Sequence, residues 1–479
     1  MPLILPGNVG SATAATGFNV ANSCRFNGSD SVMSVDTGSA STNKVTISAW
    51  VKKSAIATDQ WVVTSYRDNN NRAKFGFGGG DALSYFMTEG GTDTEWNTTA
   101  LFRDPSAWYH ILLQADNTQG TFANRAKLYV NGVVMATSSS GSSTLNSATA
   151  IIGNGTTAVG DSFYGSAFQG NTVDGYLAEV VLVQGSILAP TAFGEFDDDS
   201  GIWKPIDITD TVTGIADYSF YLDFEDSSNL GNNASDSGLA DLTEANLAAV
   251  NQSTDTCTNN FSTMNPLDNF YAGATFSEGN LKFAHGVSGH TYNTSNIGVA
   301  NGRWYCEMTC VDAGSSGAGL QPTVGIASGA STAASEGLGA GAYDWGWRSH
   351  DNLNVINNNS EVLASMSSLT DGDIAGIYID CEDNKLYFSK NGTLENSTGI
   401  SLTATASTDT GFYFFAAGDN KDDVAAIWQA NFGSPASAIS SGNTDDNGYG
   451  NFEYSPNITG DSTAKSFYAV CTKNLAEFG

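Results

Sequence analysis

The chain has 479 residues, too many for one β-sandwich and suited to two or three domains. Its 19 Lys+Arg against 50 Asp+Glu leave a net charge of −31. A surface of that sign repels phosphate backbones and anionic lipid, which sets aside nucleic acid and membrane as partners.

Hydrophobic residues make up 41% of the chain, charged ones only 14%, and 53 glycines sit among abundant Ser, Thr, Asn and Asp. That mixture favours short strands with polar turns. No stretch of ten residues carries a clear 3.6-residue apolar stripe, so the chain reads as all-β with little helix. No apolar run is long enough to cross a bilayer. The opening Met1-Pro2-Leu3-Ile4-Leu5-Pro6-Gly7 has no basic residue until Arg25, so the reading expects no secretory signal and assembly in a cytoplasm. The six cysteines, Cys24, Cys257, Cys306, Cys310, Cys381 and Cys471, are expected as free thiols. Cys306 and Cys310 lie four residues apart on one strand-like run, about 13 Å between Cα atoms and beyond disulfide reach.

In chain order, residues 1–22 lack periodicity and read either as an extended arm that docks on a neighbouring subunit or as a disordered tail. Residues 23–201 read as a first antiparallel sandwich. Val45, Ile47, Ala49 and Val51 alternate with Thr46, Ser48, Trp50 and Lys52, and Tyr109, Ile111 and Leu113 alternate around Trp108 and His110. Further strands are expected at 128–134, 151–154 and 175–183. Residues 202–266 read as an irregular connector containing one strand at Tyr221-Leu222-Asp223-Phe224. Residues 267–433 form a second sandwich, and the tail 434–479 is expected to pack back on it through Phe467 to Leu475. The clearest element is the hairpin from Asp371 to Gly392, with Ile377, Ile379, Leu386 and Phe388 as core. Its Lys385-Leu386-Tyr387 and Asn391-Gly392 echo Lys127-Leu128-Tyr129 and Asn131-Gly132 far upstream. In both places Asn-Gly offers the left-handed conformations of a tight turn.

Two resemblances follow from these blocks. Ser23-Cys24-Arg25-Phe26-Asn27, Thr46 to Lys52, Trp108-Tyr109-His110-Ile111, Lys127 to Gly132 and Asp174 to Val180 stand in the order of a laminin-G-like or concanavalin-A-like jelly roll. Gly302-Arg303-Trp304-Tyr305-Cys306-Glu307, Val324-Gly325-Ile326, Gly372 to Gly376, Leu386-Tyr387-Phe388 and Asn431-Phe432-Gly433 resemble a SPRY domain. The whole layout, including Phe224 to Gly231 and the ending Cys471-Thr472-Lys473-Asn474-Leu475, resembles virion structural proteins of marine tailed bacteriophages. That resemblance implies assembly in a host cytoplasm, other virion proteins and a host glycan or protein as partners, and a homo-oligomer, with a trimer usual for such fibres.

Catalytic patterns are thin. Glu195-Phe196-Asp197-Asp198-Asp199 is the nearest thing to a glucanase carboxylate set, yet it lies beside Ser200-Gly201 and reads as an exposed acidic turn. Glu179 stands alone among apolar residues. The four histidines lie in no nucleophile motif, and Gly76 to Gly80 lacks the Lys-Ser or Lys-Thr of a phosphate loop and reads as a flexible loop. For ligands, Tyr343, Trp345 and Trp347 share one face if extended, with Arg348 and His350 beside them, a set suited to sugar stacking or a protein anchor or else to the core. Trp61 and Trp96 are lesser candidates. Asp223, Asp226 and Asp236, near Asn229 and Asn232, offer hard oxygen donors for calcium, or form an Asn/Asp turn cluster. The reading that combines these features is a non-enzymatic adhesin of tail-fibre type. A capsid-decorating fibre and a glycan hydrolase on the first sandwich are the alternatives.

Overall fold

A computed structural model describes residues 17–479 apart from 39–41, 147–154, 165–166, 270, 286–289, 314–321, 334–335, 350–351, 420–425 and 460–463. The expected strand at 151–154 lies outside these residues. The described chain divides into two compact units, one ending at Thr258 and the other over 259–479.

The first unit is two facing antiparallel sheets. One runs in the order Val133–Val134, Ala126–Val130, Trp108–Asp116, Lys44–Lys53, Asp174–Gln184, Ser23–Asn27, Gln252–Ser253, with Phe220–Leu222 also paired to Asp174–Gln184. The other runs Thr137–Ser140, Thr92–Leu101, Ala82–Glu89, Asn71–Phe77, Gln60–Asp68, Thr156–Val159, Val32–Asp36, Thr243–Ala245. Val45, Ile47, Ala49 and Val51 all face one core with Phe75, Tyr85, Met87 and Trp96 from the opposite sheet. The period-two alternation of these strands demands that arrangement, since only one face of each can be apolar. Trp96 is thus a core residue.

Residues 202–258 behave differently from an irregular connector. They supply the three short strands Phe220–Leu222, Thr243–Ala245 and Gln252–Ser253 to the sheets of the first unit. Phe220, Leu222, Phe224, Leu230 and Leu242 are buried in the same core. Each strand is two or three residues long, too short to show an alternation. At the other end, the described part of the arm packs within its own unit. Val20 is buried with Trp50, Ala178 and Trp203, and its carbonyl accepts the Thr258 hydroxyl at 3.2 Å.

The second unit repeats the two-sheet plan. Thr275–Ser277, Lys282–Ala284, Ile427–Asn431, Arg303–Asp312, Ile374–Asp380, Lys385–Lys390 and Thr393–Leu394 form one sheet, with Ile400–Ser401 and Tyr468–Ala469 attached. Thr291–Thr294, Phe414–Asp419, Pro322–Ala327, Asp344–Arg348, Asn354–Asn357 and Ser360–Leu363 form the other. Phe452, Ile458, Phe467, Ala469 and Cys471 of the tail bury themselves against Tyr305, Tyr378 and Tyr387. A seven-residue helix, Thr472–Phe478, closes the described chain. All six cysteines are free thiols.

The hairpin Ile374–Asp380 with Lys385–Lys390 pairs Ile377 with Phe388 and Ile379 with Leu386, all four buried. Its echo upstream is physical. Asn391 and Gly392 have φ of 47° and 75°, Asn131 and Gly132 have 48° and 76°. The Asn391 carboxamide accepts the Ile374 N–H at 2.8 Å, and that of Asn131 accepts the His110 N–H at 2.8 Å. The Asn therefore does two jobs, adopting the left-handed turn and tying it to the next strand.

Candidate functional site

The ring-rich stretch Tyr343–Arg348 is interior. Asp344–Arg348 runs between Pro322–Ala327 and Asn354–Asn357 in mid-sheet. Trp345 and Trp347 are buried in the core, edge-on to Tyr413 at 5.7 Å and Phe388 at 5.6 Å. Trp347 Nε1 donates to the Ser367 carbonyl. Tyr343 is half-buried against the same core, and Arg348 Nε donates to Asn354 Oδ1 at 3.1 Å. The shared face is real, but it points inward. Behind it, a Cβ on Gly346 would stand 2.3 Å from the Leu338 carbonyl oxygen. These rings are core anchors and not a stacking surface, which corrects the expectation; His350 lies outside the described residues.

The other expectations are placed as follows. Glu195–Asp199 is a hairpin turn in which Asp197 accepts the Ser200 N–H and hydroxyl and meets Lys204 at 3.2 Å. Gly76 belongs to the strand Asn71–Phe77, where a Cβ would stand 2.3 Å from the Gln60 carbonyl, and 78–81 form a tight turn closed by Asp81 N–H to Gly78 O. The run is thus a strand end followed by a hydrogen-bonded turn. Ser48 Oγ and His110 Nε2 lie 2.8 Å apart, the reach of a nucleophile and its base. Both are buried, Trp203 stacks on the imidazole, and Nδ1 has no partner to orient it. Burial pushes this histidine down to about 3, so it stays neutral.

Of the acidic trio, Asp226 is occupied by its own turn, accepting the Ser228 N–H and hydroxyl. Asp223 and Asp236 instead line a common cavity with Glu179. Among the described residues no three carboxylates converge as a metal's ligand set. The three aspartates therefore do not form one calcium site.

What the sequence did not reveal is an aromatic patch on the outer face of the first unit's second sheet. Along Asn71–Phe77, Ala73 and Phe75 point into the core, so Arg72 and Lys74 point out. Arg72 pairs across the ladder with Tyr66. The small hairpin Phe163–Tyr164 with Ala167–Phe168 lies against them. Tyr66 meets Phe163 at 5.6 Å and Tyr164 at 5.9 Å, both edge-on, and Phe163 meets Phe168 at 5.1 Å. The Arg72 guanidinium sits 4.9 Å from the Tyr164 ring centre. Tyr164 is 42% and Phe168 37% exposed. Beside them the Lys74 ammonium lies 4.3 Å from the Trp61 ring and 5.0 Å from that of Phe86. Asn69, which accepts the Tyr66 hydroxyl, and Asp93, which receives Arg72 and Thr88, supply polar groups at the rim. Exposed rings clustered with arginine and amides are the usual make-up of a recognition patch.

The first unit has a β-sandwich fold of the concanavalin A-like kind. Residues 26–187 match the family model described as the concanavalin A-like lectin/glucanases superfamily (Laminin_G_3). No curated protein sequence matches the chain. Among solved structures, the chain is similar to the SPRY domain of human HERC1, at 18% identity over 31% of this chain and 87% of that one, TM-score 0.25. It is also similar to a heptameric SAP-like pentraxin from Limulus polyphemus, at 13% identity over 36% and 80%, TM-score 0.27. A third is domain 4 of AbnA, a GH43 extracellular arabinanase from Geobacillus stearothermophilus solved with arabinotriose, at 17% identity over 35% and 72%, TM-score 0.26. No helix among the described residues is long and apolar enough to cross a membrane.

Proposed function

We propose that the chain is a non-enzymatic adhesin of a virion, and that its first unit binds host-surface glycan through the patch of Tyr66, Tyr164, Phe168 and Arg72. The observation that carries this reading is the exposure of Tyr164 and Phe168 within a ring cluster on an open sheet face. A buried ring cluster needs no ligand, but exposed rings held edge-on by neighbours are pre-ordered flat surfaces. Such surfaces suit the C–H faces of sugars, while Asn69 and Arg72 reach hydroxyls. The net charge of −31 supports a neutral or cationic target over phosphate-rich ones. The virion setting rests on the resemblance of the whole layout.

The test is binding of the full chain to host-surface polysaccharide, with Tyr164→Ala and Phe168→Ala together. The expected result is affinity weaker by at least about tenfold, since anchoring rings are typically worth more than about 1 kcal/mol each. The melting temperature should hold, because both side chains are solvent-facing. A double variant that binds as well as the parent would remove the patch from the reading. Antibody labelling of purified particles in the electron microscope checks the setting: the chain should appear on the particle surface.

A further inference from the structure

A cavity of about 350 Å³ opens on the other sheet of the first unit, and all of its charged lining residues are carboxylates, set among Asn19, Thr209, Thr213 and Tyr221. Glu179 forms its buried floor. The strand Asp174–Gln184 carries an irregularity there: Ala178 pairs with Trp50 and Val181 with Ser48, so Glu179 and Val180 together face the single residue Ala49. The extra residue turns Glu179 to a φ of 50° and aims its side chain away from the core that Val180 and Ala178's neighbours fill. Glu179 is 7% exposed. One of its oxygens accepts the Tyr221 hydroxyl at 2.7 Å; the other accepts no hydrogen bond among the described residues. Asp223 is half-buried beside it, and Asp207, Glu225 and Asp236 stand exposed at the mouth. Among the described residues no lysine or arginine lines the cavity and none of these five carboxylates has an ion pair; Asp207 accepts the Thr209 N–H and hydroxyl, Asp223 the Glu225 N–H and Asp236 the Gly214 N–H, each through one oxygen.

We propose that this cavity is a binding site for an organic ammonium group, the chemistry shared by amino sugars and polyamines. Five carboxylates around a low-dielectric hollow concentrate cations. A calcium ion would need six to eight oxygens drawn into one shell, and no three of these groups converge so closely. An ammonium needs less: a field of one sign and a free acceptor at the floor, which the second Glu179 oxygen supplies. The volume accommodates a single sugar ring or a short diamine. Burial, reinforced by Asp223, Glu225 and Asp207, pushes the Glu179 carboxyl up to about 7. The groups facing it are those three, Asp236, Tyr221 and Cys257, with no cation among them. A permanently charged amine therefore binds more tightly as Glu179 ionises.

The experiment is calorimetric titration of the full chain with putrescine, glucosamine, N-acetylglucosamine and calcium chloride at pH 7.5, and with putrescine again at pH 5.5. The expected result is binding of one or both amines and none of N-acetylglucosamine, with putrescine weaker at pH 5.5. Putrescine binding alone points to polyamines, glucosamine binding to amino sugars. Glu179→Gln should weaken the amines by at least about tenfold. Because that position is conformationally unusual, the mouth variant Asp207→Asn with Glu225→Gln serves as a second reading, with a threefold or greater loss expected. Tyr164→Ala with Phe168→Ala should change nothing, which separates this site from the ring patch. Equal binding of glucosamine and its N-acetyl form, amine binding unmoved by both carboxylate variants, no amine binding at all, or displacement of amine by stoichiometric calcium would each overturn the proposal.

Discussion

Replacing Asp255 by alanine is expected to remove about 3–5 kcal/mol of stability from the first unit, the usual cost of stripping one partner from a buried ion pair. Asp255 and Lys52 lie 2.7 Å apart, each 1% exposed. The other carboxylate oxygen accepts Trp108 Nε1 at 3.1 Å. Burial is the leading influence on Lys52 and pulls its ammonium below the ordinary lysine value; Asp255 works against that pull. Without the carboxylate, the buried Lys52 ammonium loses its ion-pair partner, and the Trp108 indole N–H loses this acceptor as well. The double variant Lys52→Met with Asp255→Leu should recover most of the loss, since the desolvation cost disappears with the charges. Denaturant unfolding of the full chain, followed through the first unit's tryptophans, measures both. A single variant within about 1 kcal/mol of the parent would show that the pair is not isolated from solvent.

Glu179 should stabilise the first unit more at pH 5 than at pH 7.5, against the opposite pull of His110, whose buried neutral ring favours the higher pH. The folded-state Glu179 carboxyl is raised from 4.5 to about 7, chiefly by burial. The folded state therefore holds this proton more tightly than the unfolded chain does. Its contribution to stability is greatest below the ordinary glutamate range and falls as pH climbs from about 4.5 to about 7. A shift of that size corresponds to about 3 kcal/mol across the window. Glu179→Gln should flatten the dependence, leaving wild type and variant similar at pH 5 and the variant more stable at pH 7.5. The other groups with shifted values, among them His110 in the first unit and Asp344 in the second, are common to both proteins and cancel in the comparison. Parallel slopes for the two proteins would mean that Glu179 is solvated.

The two hairpins were legible because their information is local: alternation sets the buried face, and Asn-Gly sets the turn. The ring stretch shows where that information stops. Period two correctly puts Tyr343, Trp345 and Trp347 on one side of a strand, but nothing in the stretch says which side meets the opposite sheet. Glu179 shows the reverse failure. Within its own strand it is solitary, and its companions arrive from 207–236, folded over it by the short strand Phe220–Leu222. The ring patch is scattered in the same way, with Tyr66 and Arg72 on neighbouring strands and Phe163, Tyr164 and Phe168 nearly a hundred residues later. Sites assembled from such distances have no spacing to read, and strands of two or three residues have no periodicity.

Ser23 pairs with Ser253 in the first unit, so its first and last strands are neighbours in one sheet. A chain whose ends meet this way is close to a closed loop. Its gene could be cut at the exposed turn Gly90–Gly91 and rejoined by a short linker between Thr258 and the arm that carries Val20, which meet at 3.2 Å, so that Val20 and Asp255 are kept and the same sandwich should form. Such a permuted protein would place its new ends at the tip of the hairpin between Ala82–Glu89 and Thr92–Leu101. The same adjacency lets the unit be set, whole, into a loop of another protein without stretching either host or guest.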